Sequence, residues 1–137
     1  MKKDVDIFLI QEHWLFACEI DKLQEINEDL IGIGKSVDQD CPISLSHMPR
    51  GYGGVALLWK RSIDKYVKTI QDGSVRIQCI ELVIPKPVLI ASVYFPTKSS
   101  NDNENTFNDC LDQLYELIQK FSTTHEIIIG GDFNEDI

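Results

Sequence analysis

Long hydrophobic runs are missing from this 137-residue sequence: counting Ala, Val, Ile, Leu, Met, Phe, Trp, Tyr and Cys, none exceeds five residues. A transmembrane helix needs about 20, and Met1-Lys2-Lys3-Asp4 opens no signal-peptide apolar stretch. The expectation is an intracellular chain, nuclear or cytoplasmic, with no membrane partner and no export. Positive charge is scarce, with 13 Lys and Arg against 22 Asp and Glu, a net charge of −9. A protein that grips nucleic acid through a basic surface shows the opposite balance. A metal-dependent phosphate-ester enzyme is less constrained, because its carboxylates recruit the cation that meets the phosphate. Cys18, Cys41, Cys79 and Cys110 are widely spaced with no CxxC. That excludes zinc ribbons and dithiol redox motifs and leaves reduced thiols as the default.

Other catalytic signatures also fail. Gly34-Lys35-Ser36 ends like a phosphate-binding loop, but Asp29 stands where its first glycine belongs. Asp132-Phe133-Asn134-Glu135-Asp136 begins like a calcium loop, yet Ile137 replaces the required glycine. No GxSxG nucleophile elbow is present, and His13, His47 and His125 have no metal-ligand spacing. Histidines so placed are ordinarily structural or solvated.

What is present is a globular composition, 43% apolar and 26% charged, in a length suited to one domain. Val5 to Ile10 fits a buried strand that delivers Gln11-Glu12-His13. Ile20, Leu23 and Ile26 recur among polar residues and predict a short amphipathic helix. Leu30 to Val37 predicts a strand weakened by Gly32 and Gly34, and Asp38 to Arg50 a surface loop. Val55 to Trp59 and the alternating Val75, Ile77 and Cys79 predict strands. Ile80 to Ile84 and Val88 to Phe95 predict two more, joined at a Pro85-Lys86-Pro87 turn. Ser99 to Asn105 reads as polar loop. Phe107, Leu111, Leu114, Ile118 and Phe121 predict a helix that Thr106 and Asp109 would cap. Glu126 to Ile129 is a last strand before Gly130-Gly131, which composition alone allows to be a turn. The order β-α-β, several strands, then α-β predicts a layered α/β or α+β domain.

Polar clusters close three of these strands: Gln11-Glu12, Tyr94-Phe95-Pro96 and Asp132-Phe133-Asn134. Strand ends are where α/β sheets place ligand sites, although each carboxylate alone is more often a solvated end. The combination carries more. Ile10-Gln11-Glu12-His13-Trp14, Gly51-Tyr52-Gly53-Gly54-Val55-Ala56, Ser92-Val93-Tyr94-Phe95-Pro96 and Gly130-Gly131-Asp132-Phe133-Asn134 occur in order at domain-like spacing. Together they resemble the endonuclease/exonuclease/phosphatase superfamily, and most closely the endonuclease domains of non-LTR retrotransposons. The resemblance runs from about Asp4 to Asn134. It implies two mixed β-sheets packed face to face with flanking helices, a four-layer sandwich. It also implies Mg²⁺-dependent phosphodiester hydrolysis, with Mn²⁺ as a substitute and DNA as substrate. By position, Glu12 resembles the metal-binding carboxylate and Tyr94 the tyrosine that contacts the scissile phosphate. Asp132 resembles the aspartate that orients or deprotonates the attacking water, and Asn134 the asparagine that holds the phosphate. A reverse transcriptase would follow in the parent reading frame.

Departures from the family pattern shape the remaining expectations. Relatives carry a strand with an asparagine before the Gln-Glu motif and a Ser-Asp-His segment near the end. Here few residues precede Val5 and the chain stops at Ile137. Thr97 stands where retrotransposon relatives commonly have asparagine. Residues 1–137 are thus expected to form a single partial domain, truncated at both ends and weakly active or inactive alone. Its open sheet edges would favour association through Ile127-Ile128-Ile129 and through Val88 to Phe95. The alternatives are a superfamily phosphatase acting on a small phosphate ester or lipid, and a non-catalytic remnant.

Overall fold

The computed structural model describes residues 6–36, 54–96 and 101–134, with side chains from residue 105 in the last segment. Strand β1 (Ile7–Gln11) leads through a 3₁₀ helix (Ala17–Glu25) to β2 (Leu30–Lys35). Then come β3 (Val55–Lys60), a second 3₁₀ helix (Arg61–Tyr66), β4 (Val67–Ser74), β5 (Ile77–Leu82), β6 (Val88–Tyr94), α1 (Asn101–Phe121) and β7 (Glu126–Asp132). One sheet has the order β1-β3-β2 and the other β4-β5-β6-β7. All pairings are antiparallel except β6 with β7, which run parallel. Parallel neighbours need a crossover, and α1 supplies it.

The period of two along each strand sorts the apolar residues into three cores. Leu57 and Trp59 of β3 face Ile80 of β5 and Val88 and Ile90 of β6, with Ile7, Leu9, Ile31 and Ile33 packed around them. This is the seam between the sheets. The intervening Ala56 and Leu58 point the other way, onto Leu23 of the first 3₁₀ helix. On the far side, Cys79, Leu89, Ala91 and Val93 meet Phe107, Cys110, Leu114 and Leu117 of α1. The result is helix, sheet, sheet, helix, the four-layer order that the sequence motifs imply.

Local departures have physical causes. The short amphipathic helix expected around Ile20, Leu23 and Ile26 is present as a 3₁₀ helix over Ala17–Glu25, in keeping with their spacing of three. Leu23 is buried there and Ile26 lies 58% exposed past the helix end. Helix α1 begins at Asn101, so residues 101–105 are helix rather than loop, and Thr106 lies inside it. Acidic residues at a helix start are favoured by its dipole, which a composition rule reads as loop. Strand β4 was not foreseen at all. A register shift between Ile70 and Gly73 breaks its alternation, as edge strands often do. Val75 and Arg76 form the turn into β5, and Gly130-Gly131 continue β7 instead of turning. The Asp38 to Arg50 segment, Gly51 to Gly53, Thr97 and His47 lie outside the described residues.

Strand β7 is an edge of its sheet among the described residues, and Ile128 on it is 53% exposed. Flat apolar edges template pairing with other chains. Ile128→Lys is expected to shift sedimentation toward monomer at a concentration where the parent chain associates.

Candidate active site

The dipeptides Tyr94-Phe95 and Asp132-Phe133 follow the same construction. Phe95 is fully buried on the α1 side and stacks edge-on with Phe107 at 5.3 Å and with Phe133 at 5.2 Å. The two rings pin the ends of β6 and β7, and alternation then turns Tyr94 and Asp132 toward the other sheet. These two residues are register partners in the parallel pair. Phe95 N–H donates to Asp132 O at 2.8 Å, extending the ladder past the strand ends.

From the opposite sheet, β1 places Ile7, Leu9 and then Gln11 on the inner face. Gln11 Nε2 donates to Ser92 Oγ at 2.9 Å, and Ser92 Oγ donates to Ile10 O at 3.2 Å. This polar pair ends the apolar seam and fixes where the next residue emerges. Glu12 adopts φ 55, a left-handed conformation unusual for a side chain of its size, and its N–H donates to Gly54 O at 2.8 Å. Its carboxylate Oε1 accepts the Tyr94 hydroxyl at 2.8 Å.

Asn134, also left-handed at φ 50, closes the cluster. Its N–H donates to Asp132 Oδ1 at 2.9 Å and its Nδ2 to Phe95 O at 2.6 Å. The fold therefore brings Glu12, Tyr94, Asp132 and Asn134 to one end of the sandwich, although 120 positions separate the two carboxylates. Three of them keep unused capacity among the described residues. Glu12 has Oε2, Asp132 has Oδ2, and Asn134 retains its Oδ1 and a second amide hydrogen.

Burial pushes the Tyr94 phenol above its usual value, and the Glu12 carboxylate reinforces this by hydrogen bonding and charge. Arg76 opposes the shift. The phenol thus stays protonated at neutral pH and acts as a donor. Arg76 is a site neighbour that sequence reasoning missed. Its guanidinium lies 5.6 Å from the Tyr94 ring centroid and Nη1 donates to Tyr94 O at 3.2 Å. It belonged to a presumed strand, and only the turn at Val75-Arg76 aims it here.

The histidines serve elsewhere. His13 Nε2 donates to Lys35 O at 2.9 Å while Nδ1 accepts Leu15 N–H at 3.0 Å, so the ring is neutral and bolts the Glu12 turn to β2. Gly54, at φ 94, lies against it so closely that an added Cβ would fall 2.3 Å from the imidazole. His125 Nε2 meets Glu81 Oε1 at 2.7 Å and its Nδ1 meets Thr124 Oγ1 at 2.7 Å, tying the end of α1 to β5.

Burial lowers the His13 pKa below 6.5, outweighing the backbone acceptors at Lys35 and Val55. The unfolded chain then binds the proton more readily, so His13 favours folding above 6.5 and loses that contribution as pH falls toward its folded value. Thermal melts between pH 7.5 and 5 should show stability declining below about 6.5, with a shallower decline in His13→Gln.

The free donors at the site are all oxygens, and among the described residues no group of three or more His, Cys, Asp or Glu could hold an ion. One or two carboxylates plus water and substrate oxygens suit Mg²⁺ or Mn²⁺, whereas zinc favours nitrogen and sulfur. The donor set fits the ion that the motifs imply.

A model described as "Endonuclease/Exonuclease/phosphatase family" matches residues 2–136. No curated protein matches. Among solved structures, an AP endonuclease from Leishmania major is 15% identical with a TM-score of 0.68, over 93% of this chain and 45% of that one. The human nocturnin catalytic domain with bound sulfate is 17% identical with a TM-score of 0.56, over 96% and 52%. A 3′ phosphatase from Neisseria bound to product DNA hairpin is 20% identical with a TM-score of 0.56, over 94% and 47%. The chain spans about half the length of these structures, and at such identity the likeness concerns the fold.

Proposed function

Because this chain belongs to the Endonuclease/Exonuclease/phosphatase family, we propose that it carries the metal-binding and water-activating half of a phosphodiesterase acting on DNA. The observation that carries this reading is the Tyr94 hydroxyl on Glu12, with Asp132 paired beside Tyr94. Glu12 Oε2 would hold Mg²⁺ or Mn²⁺, which when bound supplies charge to the phosphoryl oxygens.

Asp132 Oδ2 orients a water and accepts its proton, while Asn134 N–H holds Oδ1 and fixes the carboxylate plane. The second amide hydrogen of Asn134 donates to a phosphate oxygen as charge develops there. Tyr94 has one proton, given to Glu12 in this arrangement. Contact with phosphate requires that proton to swing from carboxylate to substrate. Neither His13 nor His125 is placed to protonate the leaving oxygen.

The chain's Gln11-Glu12-His13-Trp14 and Gly51-to-Ala56 motifs support a retrotransposon-type endonuclease within a longer reading frame that carries a reverse transcriptase. The net charge of −9 favours a second reading, a small phosphate ester as substrate. Supercoiled-plasmid nicking and hydrolysis of methyl p-nitrophenyl phosphate, each with Mg²⁺, Mn²⁺ or EDTA, test both. Metal-dependent nicking that Glu12→Gln removes supports the first. Ester hydrolysis without nicking supports the second. No metal-dependent hydrolysis of either, by this chain or by a longer chain spanning the full length of the matched structures, overturns the assignment.

A further inference from the structure

Two residues past Glu12, Trp14 is 47% exposed, while the other tryptophan, Trp59, is 2% exposed in the sheet seam. Trp14 adopts φ 62, the second left-handed residue of a three-residue turn whose middle residue, His13, is bolted inward. A left-handed backbone is costly for a bulky side chain. Here the segment is held by Glu12 N–H on Gly54 O and by both His13 nitrogens, with exposed Glu12 and Trp14 on either side of His13.

We propose that Trp14, two residues from Glu12 in the chain, is a stacking platform for a base of a single-stranded or unpaired nucleic-acid substrate. This rests on the phosphodiesterase reading and adds to it what would select nucleic acid over a small ester. A chain with net charge −9 draws little affinity from phosphate neutralisation. Stacking of a base on an indole is independent of charge and tolerant of sequence. An acidic nuclease thus has reason to present an exposed aromatic next to its metal ligand.

The test uses the whole chain and a fluorescein-labelled single-stranded oligonucleotide in EDTA, so that binding is read without catalysis. Trp14 should report directly, since Trp59 is shielded: the oligonucleotide should quench the exposed-tryptophan emission. Binding by anisotropy should weaken about tenfold or more in Trp14→Asn. Asparagine tolerates the left-handed backbone, and circular dichroism checks that the variant is folded before its affinity is compared. Trp14→Phe should restore most of the affinity. The salt dependence of the parent should be shallow, as expected where stacking outweighs phosphate contacts.

Equal oligonucleotide affinity in Trp14→Asn and parent, or binding without quenching, overturns the proposal. Hydrolysis of methyl p-nitrophenyl phosphate with no oligonucleotide binding overturns it while leaving the hydrolase reading intact. Trp14-dependent binding with no metal-dependent hydrolysis, by this chain or by a longer chain spanning the full length of the matched structures, supports the platform and overturns the hydrolase reading instead.

Discussion

Asp132→Ala is expected to lower metal-dependent phosphodiester hydrolysis by about 10²–10⁴-fold, the usual cost of losing a positioned base. Its melting temperature should change little, because Asp132 is exposed and, among the described residues, its side chain makes one hydrogen bond, from Asn134 N–H. Asp132→Asn separates orientation from basicity. The amide oxygen still accepts the Asn134 N–H, but it takes no proton from water. A loss equal to that of alanine would assign Asp132 as the base. Activity retained in Asp132→Asn would mean that the residue only holds Asn134 and that the proton leaves by another route. Initial rates on plasmid and on the small ester, normalised to folded protein, read this directly.

Much of this arrangement was legible in the chain because strand alternation is a short-range rule. Once β6 is a strand with Val88 and Ile90 facing inward, Ser92 and Tyr94 must follow them, and Ile7 and Leu9 do the same for Gln11. The chain motifs supplied which strands meet, which periodicity alone cannot. What escaped was set by tertiary contact. Arg76 reaches Tyr94 only because a turn, rather than a strand, carries it. Strand β4 hides its period behind a bulge, and the helix start at Asn101 hides behind polar composition. Left-handed backbone at Glu12 and Trp14 has no sequence signal, whereas at Asn134 the residue type favours it. It is imposed by the hydrogen bonds that hold each turn.

Gly131→Ala is expected to have the largest effect on stability, about 4 kcal/mol or more, in the range reserved for strained backbone and overpacking. Gly131 has φ 141, and an ideal Cβ there would lie 2.0 Å from Val93 O and 2.9 Å from Val93 N and C. Those are backbone atoms of the paired strand, so no side chain can rotate away. Either β7 separates from β6 or its backbone flips, and the pairing at risk is Val93 with Gly131, one step from Tyr94 with Asp132. Such a cost is a large share of the 5–15 kcal/mol that holds an ordinary domain together. Gly130, whose added Cβ would meet, among the described residues, only the side-chain end of Leu9 at 2.8 Å, is the internal control. Gly130→Ala should cost much less, since Leu9 has rotamers available. Urea unfolding followed by circular dichroism gives both values. Equal midpoints for the two variants would show that the β6–β7 ladder can open at Gly131 without penalty, and would undo the claim that the Phe95 and Phe133 anchors hold Tyr94 and Asp132 in register.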